Sequence, residues 1–200
     1  MNNDTKQILT RTVESTGDSL GILGYGCMRF KRKRGAIDME RAERQVMAAI
    51  EAGVNYFDTA YMYPGNEKAI GTILAKSDDG VLRRDRVQIA TKLPIMMVKT
   101  EEDFDKMFRT SLDRLKTDRI DYYLMHNISS YSEWERMKEL GVISFIERIK
   151  ANGTAKHIGF SAHGNLQDFR KTIDDYPWDF CQIQYNYLDE NFQAGTEGLN

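Results

Sequence analysis

Four polar side chains stand where they could assist the reduction of a carbonyl group. Asp58, Lys92 and His126 each come near the end of a short apolar run, and Tyr63 follows Asp58 by five residues. Carbonyl reduction needs a proton donor for the developing alkoxide and fixed positive charge or hydrogen bonds near that oxygen. A tyrosine, whose ordinary pKa is about 10, can donate this proton if an ammonium stabilises the phenolate and a carboxylate orients the ammonium. The four residues supply these groups.

Five runs with the composition of buried β-strands carry these side chains and two more, Ser161 and Gln182. The runs are residues 55–58, 87–92, 120–126, 157–161 and 180–184. Side chains alternate between the two faces of a strand, so the polar residues near the ends of the runs are expected to point the same way. In a barrel of parallel strands, catalytic groups from separate strands meet at the C-terminal ends.

Helical patterns separate these runs, and strands recur about every 25 to 35 residues, as in βα units. Asp38 is a candidate N-cap of the first helix, which Gly53 ends. Further helices are predicted after Asn66, from a capping box at 100–103 to Leu115, over about 132–152, and over about 165–176. Residues 7–13 and 19–23 are predicted to form a hairpin.

The alternation of strands and helices allows a closed barrel or an open doubly wound sheet. Residues 24–29 (GYGCMR) lack the third glycine of a dinucleotide-binding loop, which favours the barrel. We therefore predict an α/β fold of the (β/α)8 TIM-barrel type, in incomplete form, with an N-terminal hairpin and about six βα units. A full barrel takes about 250 residues, and this chain has 200. We expect residues 1–200 to form a single domain whose C-terminal part is missing.

Composition argues against several classes of function. The chain has 28 Lys and Arg against 30 Asp and Glu, a formal net charge of −2, so no strong field favours nucleic acid or a membrane surface. The cysteines, Cys27 and Cys181, are expected in buried strands and lack metal or redox spacing. With no signal peptide or membrane-spanning run in the sequence, we expect a cytoplasmic protein without a metal site.

Several ordered motifs in this chain resemble the aldo-keto reductase family. They are residues 58–67 (DTAYMYPGNE), Thr91-Lys92, 111–115 (SLDRL) leading into 121–126 (DYYLMH), 158–161 (IGFS) and 182–186 (QIQYN). The resemblance implies a (β/α)8 barrel, NADPH as hydride donor with NADH as the alternative, and a small-molecule carbonyl substrate. It also implies roles for the four residues: Tyr63 as general acid, Lys92 and His126 as its electrostatic partners, and Asp58 as the anchor of Lys92.

The same resemblance implies where the cofactor lies. Ser161 and Gln182 are expected to hold the nicotinamide carboxamide, with the backbone of Gly26, Cys27 and Met28 beside the cofactor and Asp58 also among its contacts. Where many members of the family have asparagine after the serine, this chain has Ala162-His163.

Residues 182–199 resemble a bacterial subgroup that bears a cysteine-rich, iron–sulfur-type C-terminal extension. We expect an iron–sulfur cluster only where such an extension exists.

Two functions follow from this interpretation. The first is an NAD(P)H-dependent oxidoreductase that reduces aldehydes or ketones to alcohols. The second is an inactive truncated barrel that acts as a binding or regulatory module. An incomplete barrel would expose strand edges, so self-association through them is also expected.

Overall fold

The structure, a computed structural model, describes residues 8–199. These residues form two compact units. The first comprises residues 8–91 and 110–121, and the second comprises residues 92–109 and 122–199. The expectation that the whole chain is one domain stays a prediction.

The first unit is built around three short parallel strands with a helix between successive strands. In chain order its elements are β1 (Thr10–Thr12), β2 (Ser19–Gly21), β3 (Tyr25–Gly26), β4 (Arg32–Lys33), β5 (Ala36–Ile37), α1 (Met39–Glu51), β6 (Tyr56–Asp58), α2 (Asn66–Leu74), β7 (Ser77–Asp78), β8 (Val81–Leu82) and the first four residues of β9 (Gln88–Leu93). Strand β6 pairs in parallel with β3 and with β9. The predicted hairpin is confirmed by the antiparallel pair β1–β2, although Gln7 lies outside the described residues.

Helix α1 begins and ends where the sequence predicts. The carboxylate of Asp38 accepts a hydrogen bond from the backbone N–H of Arg41 at 3.1 Å, which satisfies one of the unpaired donors of the first turn. The helix ends at Glu51, and Gly53 follows in the left-handed region at φ +96°. Its inward side buries Ala42 and Val46.

The second unit alternates longer strands with four helices. Its elements are the first part of α3 (Glu102–Leu115), the main part of β10 (Ile120–Ile128), α4 (Tyr131–Glu139), α5 (Val142–Ala151), β11 (Ala155–Ala162), α6 (Leu166–Asp174) and β12 (Phe180–Ile183). Strand β11 lies between β10 and β12 and pairs in parallel with β12. Aromatic rings fill its interior, with centroid separations of 5.3 Å for Phe104 and Phe145 and 4.8 Å for Trp134 and Trp178. The predicted strands of both units are confirmed to within two or three residues at their ends.

The prediction of one helix over 132–152 is wrong. Helix α4 ends at Glu139, and α5 begins at Val142 after Gly141, whose φ of +91° is incompatible with a continuous right-handed helix. The apolar spacing continues across the break, so periodicity alone did not reveal it.

The first unit contains one very close approach between backbones. An added Cβ at Gly71 of α2 would lie 2.6 Å from the Cα of Leu115, and closer still to the carbonyl oxygen of Arg114. Real Cβ atoms do not come this near, so α2 can approach the end of α3 only because residue 71 has no side chain.

Cys27 is not in a strand, contrary to the sequence prediction. It is buried in a short 3-10 turn, Cys27–Arg29, that follows β3 directly, because β3 ends after only two residues. Among the described residues, no helix combines the length and the apolar character needed to cross a bilayer.

Candidate active site

Asp58 and Tyr63 lie at the C-terminal end of β6 and in the loop that follows it. Asp58 is the last residue of the strand, in register with Gly26 on one side and Ala90 on the other. The loop then turns sharply, since the N–H of Tyr63 donates to the carbonyl of Ala60 at 3.0 Å. The first unit therefore brings the predicted proton donor close to the predicted carboxylate anchor.

Burial raises the pKa of the half-buried Tyr63 phenol above its usual value, and the negative charge of Asp58 adds to this effect. The phenol consequently keeps its proton at neutral pH, which is the form required of a general acid. Any stabilisation of the phenolate must come from groups other than Asp58.

The predicted cofactor segment is tied to the tyrosine loop by Asn66, a buried residue at the start of α2. Its side-chain amide donates a hydrogen bond to the carbonyl of Cys27, and its backbone N–H donates to the carbonyl of Tyr63 at 3.1 Å. Beside this contact, Met28 is 55% exposed, and a Cβ added at Gly26 would meet no atom within 4 Å. The backbone at residue 26 is therefore open to a ligand.

Lys92 and His126 belong to the second unit. Lys92 is almost fully buried, at 3% exposure. The pKa of His126 is lowered to about 4, first by burial and then by the positive charge of Lys92 and of His163. His126 is therefore neutral at physiological pH, and it keeps one ring N–H for donation.

Ser161 and Gln182 face each other on neighbouring strands of the second unit, in register in the parallel pair β11–β12. The hydroxyl oxygen of Ser161 accepts a hydrogen bond from the N–H of Asn127 at 2.8 Å, which leaves its own hydrogen for donation. Gln182 is exposed. After Ser161 the chain has Ala162 rather than asparagine, and at the next position Nδ1 of His163 lies 3.2 Å from Oε1 of Gln193.

Three further polar residues lie next to the predicted set without having been predicted from the sequence, namely Asn66, Glu67 and Arg114. Asn66 and Glu67 are each 1% exposed, although both are polar. The signal was in the sequence, because both precede Ile70, Ile73 and Leu74 at helical spacing on what must be a buried face. Among residues 8–199, no group of three His, Cys, Asp or Glu side chains could hold a metal ion.

Comparison with known proteins assigns the class. The model of the Aldo/keto reductase family matches residues 22–197. An aldo-keto reductase from Mycobacterium sp. (strain MCS) is 32% identical over 160 residues, which is 79% of this chain and 50% of the relative. The holo form of an aldo-keto reductase from Bacillus halodurans superposes with a TM-score of 0.72 at 24% identity, over 90% of this chain and 58% of the other. An aldo-keto reductase from Klebsiella pneumoniae in complex with NADPH superposes with a TM-score of 0.63 at 23% identity, over 82% of this chain and 53% of the other.

The chain belongs to the aldo/keto reductase family, a family of oxidoreductases. The structural similarity confirms the predicted TIM-barrel type of α/β fold. The chain spans about half the length of the curated relatives it matches.

Proposed function

We propose that this chain catalyses the NAD(P)H-dependent reduction of aldehyde or ketone carbonyls to alcohols, with Tyr63 as the general acid. Lys92 and His126 support the tyrosine, and Asp58 anchors Lys92. The observation that carries the proposal is the family match over residues 22–197, a range that contains all four residues. Three of them lie in the last few residues of their strands, and Tyr63 lies in the loop after β6.

A nicotinamide cofactor fits the residues that are present. Ser161 and Gln182 offer a hydroxyl donor and an amide at the same level of two adjacent strands, which suits a carboxamide. The open backbone at Gly26 and the neighbouring Cys27 and Met28 would lie beside the cofactor. The bound cofactor supplies a hydride to the carbonyl carbon. NADPH is the first choice because relatives of this fold were solved as NADP and NADPH complexes.

The chain's own residues manage the proton and the charge. Tyr63 gives its phenolic proton to the carbonyl oxygen as negative charge develops there, and the resulting phenolate needs positive charge nearby. The buried Lys92 is proposed to supply that charge. His126 is neutral because its pKa is about 4. It is proposed to donate a hydrogen bond to the carbonyl oxygen of the substrate rather than to act as a cation.

Replacing the proton donor tests this proposal. Tyr63→Phe should lower kcat/KM for NADPH-dependent reduction of 4-nitrobenzaldehyde by about 10²–10⁴-fold, because only the general acid is removed. The Kd for NADPH, measured by cofactor fluorescence, should change by less than about twofold. Tyr187→Phe is a matched control, because Tyr187 is 82% exposed and should leave both quantities unchanged.

Near-parental turnover in Tyr63→Phe would remove Tyr63 from the mechanism. NADPH binding by the parent chain without any turnover is the result that the binding or regulatory alternative predicts.

A further inference from the structure

Glu67 is a fully buried carboxylate four residues after Tyr63. It lies in the first turn of α2 and is 1% exposed. Each of its oxygens has its own partner. Oε1 accepts a hydrogen bond from the hydroxyl of Thr91 at 2.7 Å, and Oε2 forms an ion pair with Nη1 of Arg114 at 3.1 Å. Both partners belong to the same compact unit as Glu67.

Arg114 also contacts Tyr61, in the loop that carries Tyr63. Its Nη1 donates a second hydrogen bond to the carbonyl of Tyr61 at 3.2 Å, and its guanidinium group lies over the Tyr61 ring, 4.4 Å from the centroid. The first contact holds the backbone of the loop and the second holds a side chain. Tyr61 is three residues after Asp58 and two before Tyr63. Both contacts of Arg114 therefore fall in the middle of the segment that joins Asp58 to Tyr63.

A buried carboxylate is a costly way to hold two elements together. The free energy needed to desolvate the carboxylate offsets much of the stabilisation from its partners, and apolar packing of the same volume is often as stable or more so. What the charged group contributes is a defined geometry. An ion pair with a stacked guanidinium fixes both the distance and the orientation of the groups that it joins.

We propose that Glu67 is a positioning residue for the proton donor: through Arg114 it fixes Tyr61 and hence the loop that carries Tyr63, while Thr91 ties the same carboxylate to β9. The inference rests on the proposed role of Tyr63 as general acid.

The test compares Glu67→Gln with a matched change at a second ion pair whose carboxylate is also buried. Glu67→Gln keeps the shape and can still accept from Thr91, but it loses the charge that holds Arg114. Asp121→Asn is the control. Asp121 pairs with Arg84 at 2.7 Å, with side chains only 7% and 9% exposed, and also accepts the N–H of Ile89 at 2.7 Å. It makes these contacts in the same unit, and neither Arg84 nor Ile89 belongs to the tyrosine loop.

Two readouts separate positioning from general stability. In protein labelled with ¹³Cζ-tyrosine, Glu67→Gln should shift the Tyr61 and Tyr63 resonances and bring the pKa of Tyr63 down towards its ordinary value as the loop opens to water. In the reductase assay it should lower kcat by about 10–100-fold through misplacement of the donor. KM for the carbonyl substrate should change by less than about threefold. Asp121→Asn should lower the melting temperature but leave the tyrosine resonances and kcat in place.

If Glu67→Gln does not fold, a second pair of variants tests whether Glu67 positions the tyrosine loop. Thr91→Val removes the hydroxyl at constant shape, whereas Thr91→Ser retains it. We expect Val to disturb the Tyr61 and Tyr63 resonances and Ser to restore them. The inference fails if Glu67→Gln and Thr91→Val lower stability yet leave these resonances and kcat as in the parent. The proposed function fails separately, if Tyr63→Phe keeps its turnover, because the tyrosine resonances report on the loop whether or not the chain reduces a carbonyl.

Discussion

The imidazole of His126 is neutral at physiological pH because two effects oppose its protonation. Burial removes the hydration that an imidazolium would need, and the nearby positive charges of Lys92 and His163 add repulsion. The sequence motif predicted this histidine as an electrostatic partner, but it could not show the direction of the pKa shift. That direction depends on burial and on His163, which lies 37 positions further along the chain.

This shift makes the stability of the protein depend on pH in a defined window. The folded-state pKa of His126 is about 4, below the ordinary 6.5. Between these values the unfolded chain binds a proton that the folded chain does not, so the free energy of unfolding should fall as the pH drops from about 6.5 to about 4. Urea titrations across this range measure the slope. His126→Gln should make the slope shallower, and an identical slope in the variant would show that other groups cause it.

At the scale of elements, single residues decide where helices start and stop. Asp38 is predicted as an N-cap from the sequence, and its side chain does accept a backbone hydrogen bond from the first turn of α1. Asn165, where the sequence predicts only that a helix begins, caps α6 in the same way. The sequence does not predict the helix break at Gly141, because its neighbours Leu140 and Val142 keep the apolar spacing of a continuous helix. A left-handed residue inside an amphipathic pattern leaves no trace in the periodicity.

The break between α4 and α5 should therefore be sensitive to substitution. Gly141→Ala should destabilise the protein by about 1–2 kcal/mol, since a Cβ disfavours the left-handed backbone at this position. The nearest atom to the added Cβ is 3.6 Å away, on Glu101, so steric overlap contributes little.

Gly26→Ala is the control for this prediction. Its φ is −83° and its added Cβ would meet nothing within 4 Å, so its stability should match or slightly exceed that of the parent. Chemical denaturation measures both variants. Equal stability of the two would mean that the φ of +91° at Gly141 carries no strain.

At the scale of the whole molecule, the features that could be predicted from the sequence are those that rest on repeated patterns. Strand composition, helix caps and the spacing of βα units gave the class of fold, and the ordered motifs gave the family, which the match over residues 22–197 confirms. Contacts between residues that are far apart in the chain could not be predicted from the sequence. Arg114 and Glu67 are 47 positions apart, and Asn66 and Cys27 are 39 apart. Periodicity describes which face of an element is buried, but it does not say which partner it meets.

Gly71 has a practical consequence for anyone who engineers this chain by random mutagenesis. A library screened for activity will reject almost every substitution there, since any side chain would collide with the backbone at Arg114 and Leu115. The same helix holds Asn66 and Glu67 at its N-terminal end, so a displaced α2 would also disturb the loop around Tyr63. Such a variant would look like an active-site mutant in the screen, although residue 71 need never touch a substrate. Thermal melting of each hit before kinetic analysis would prevent that misassignment.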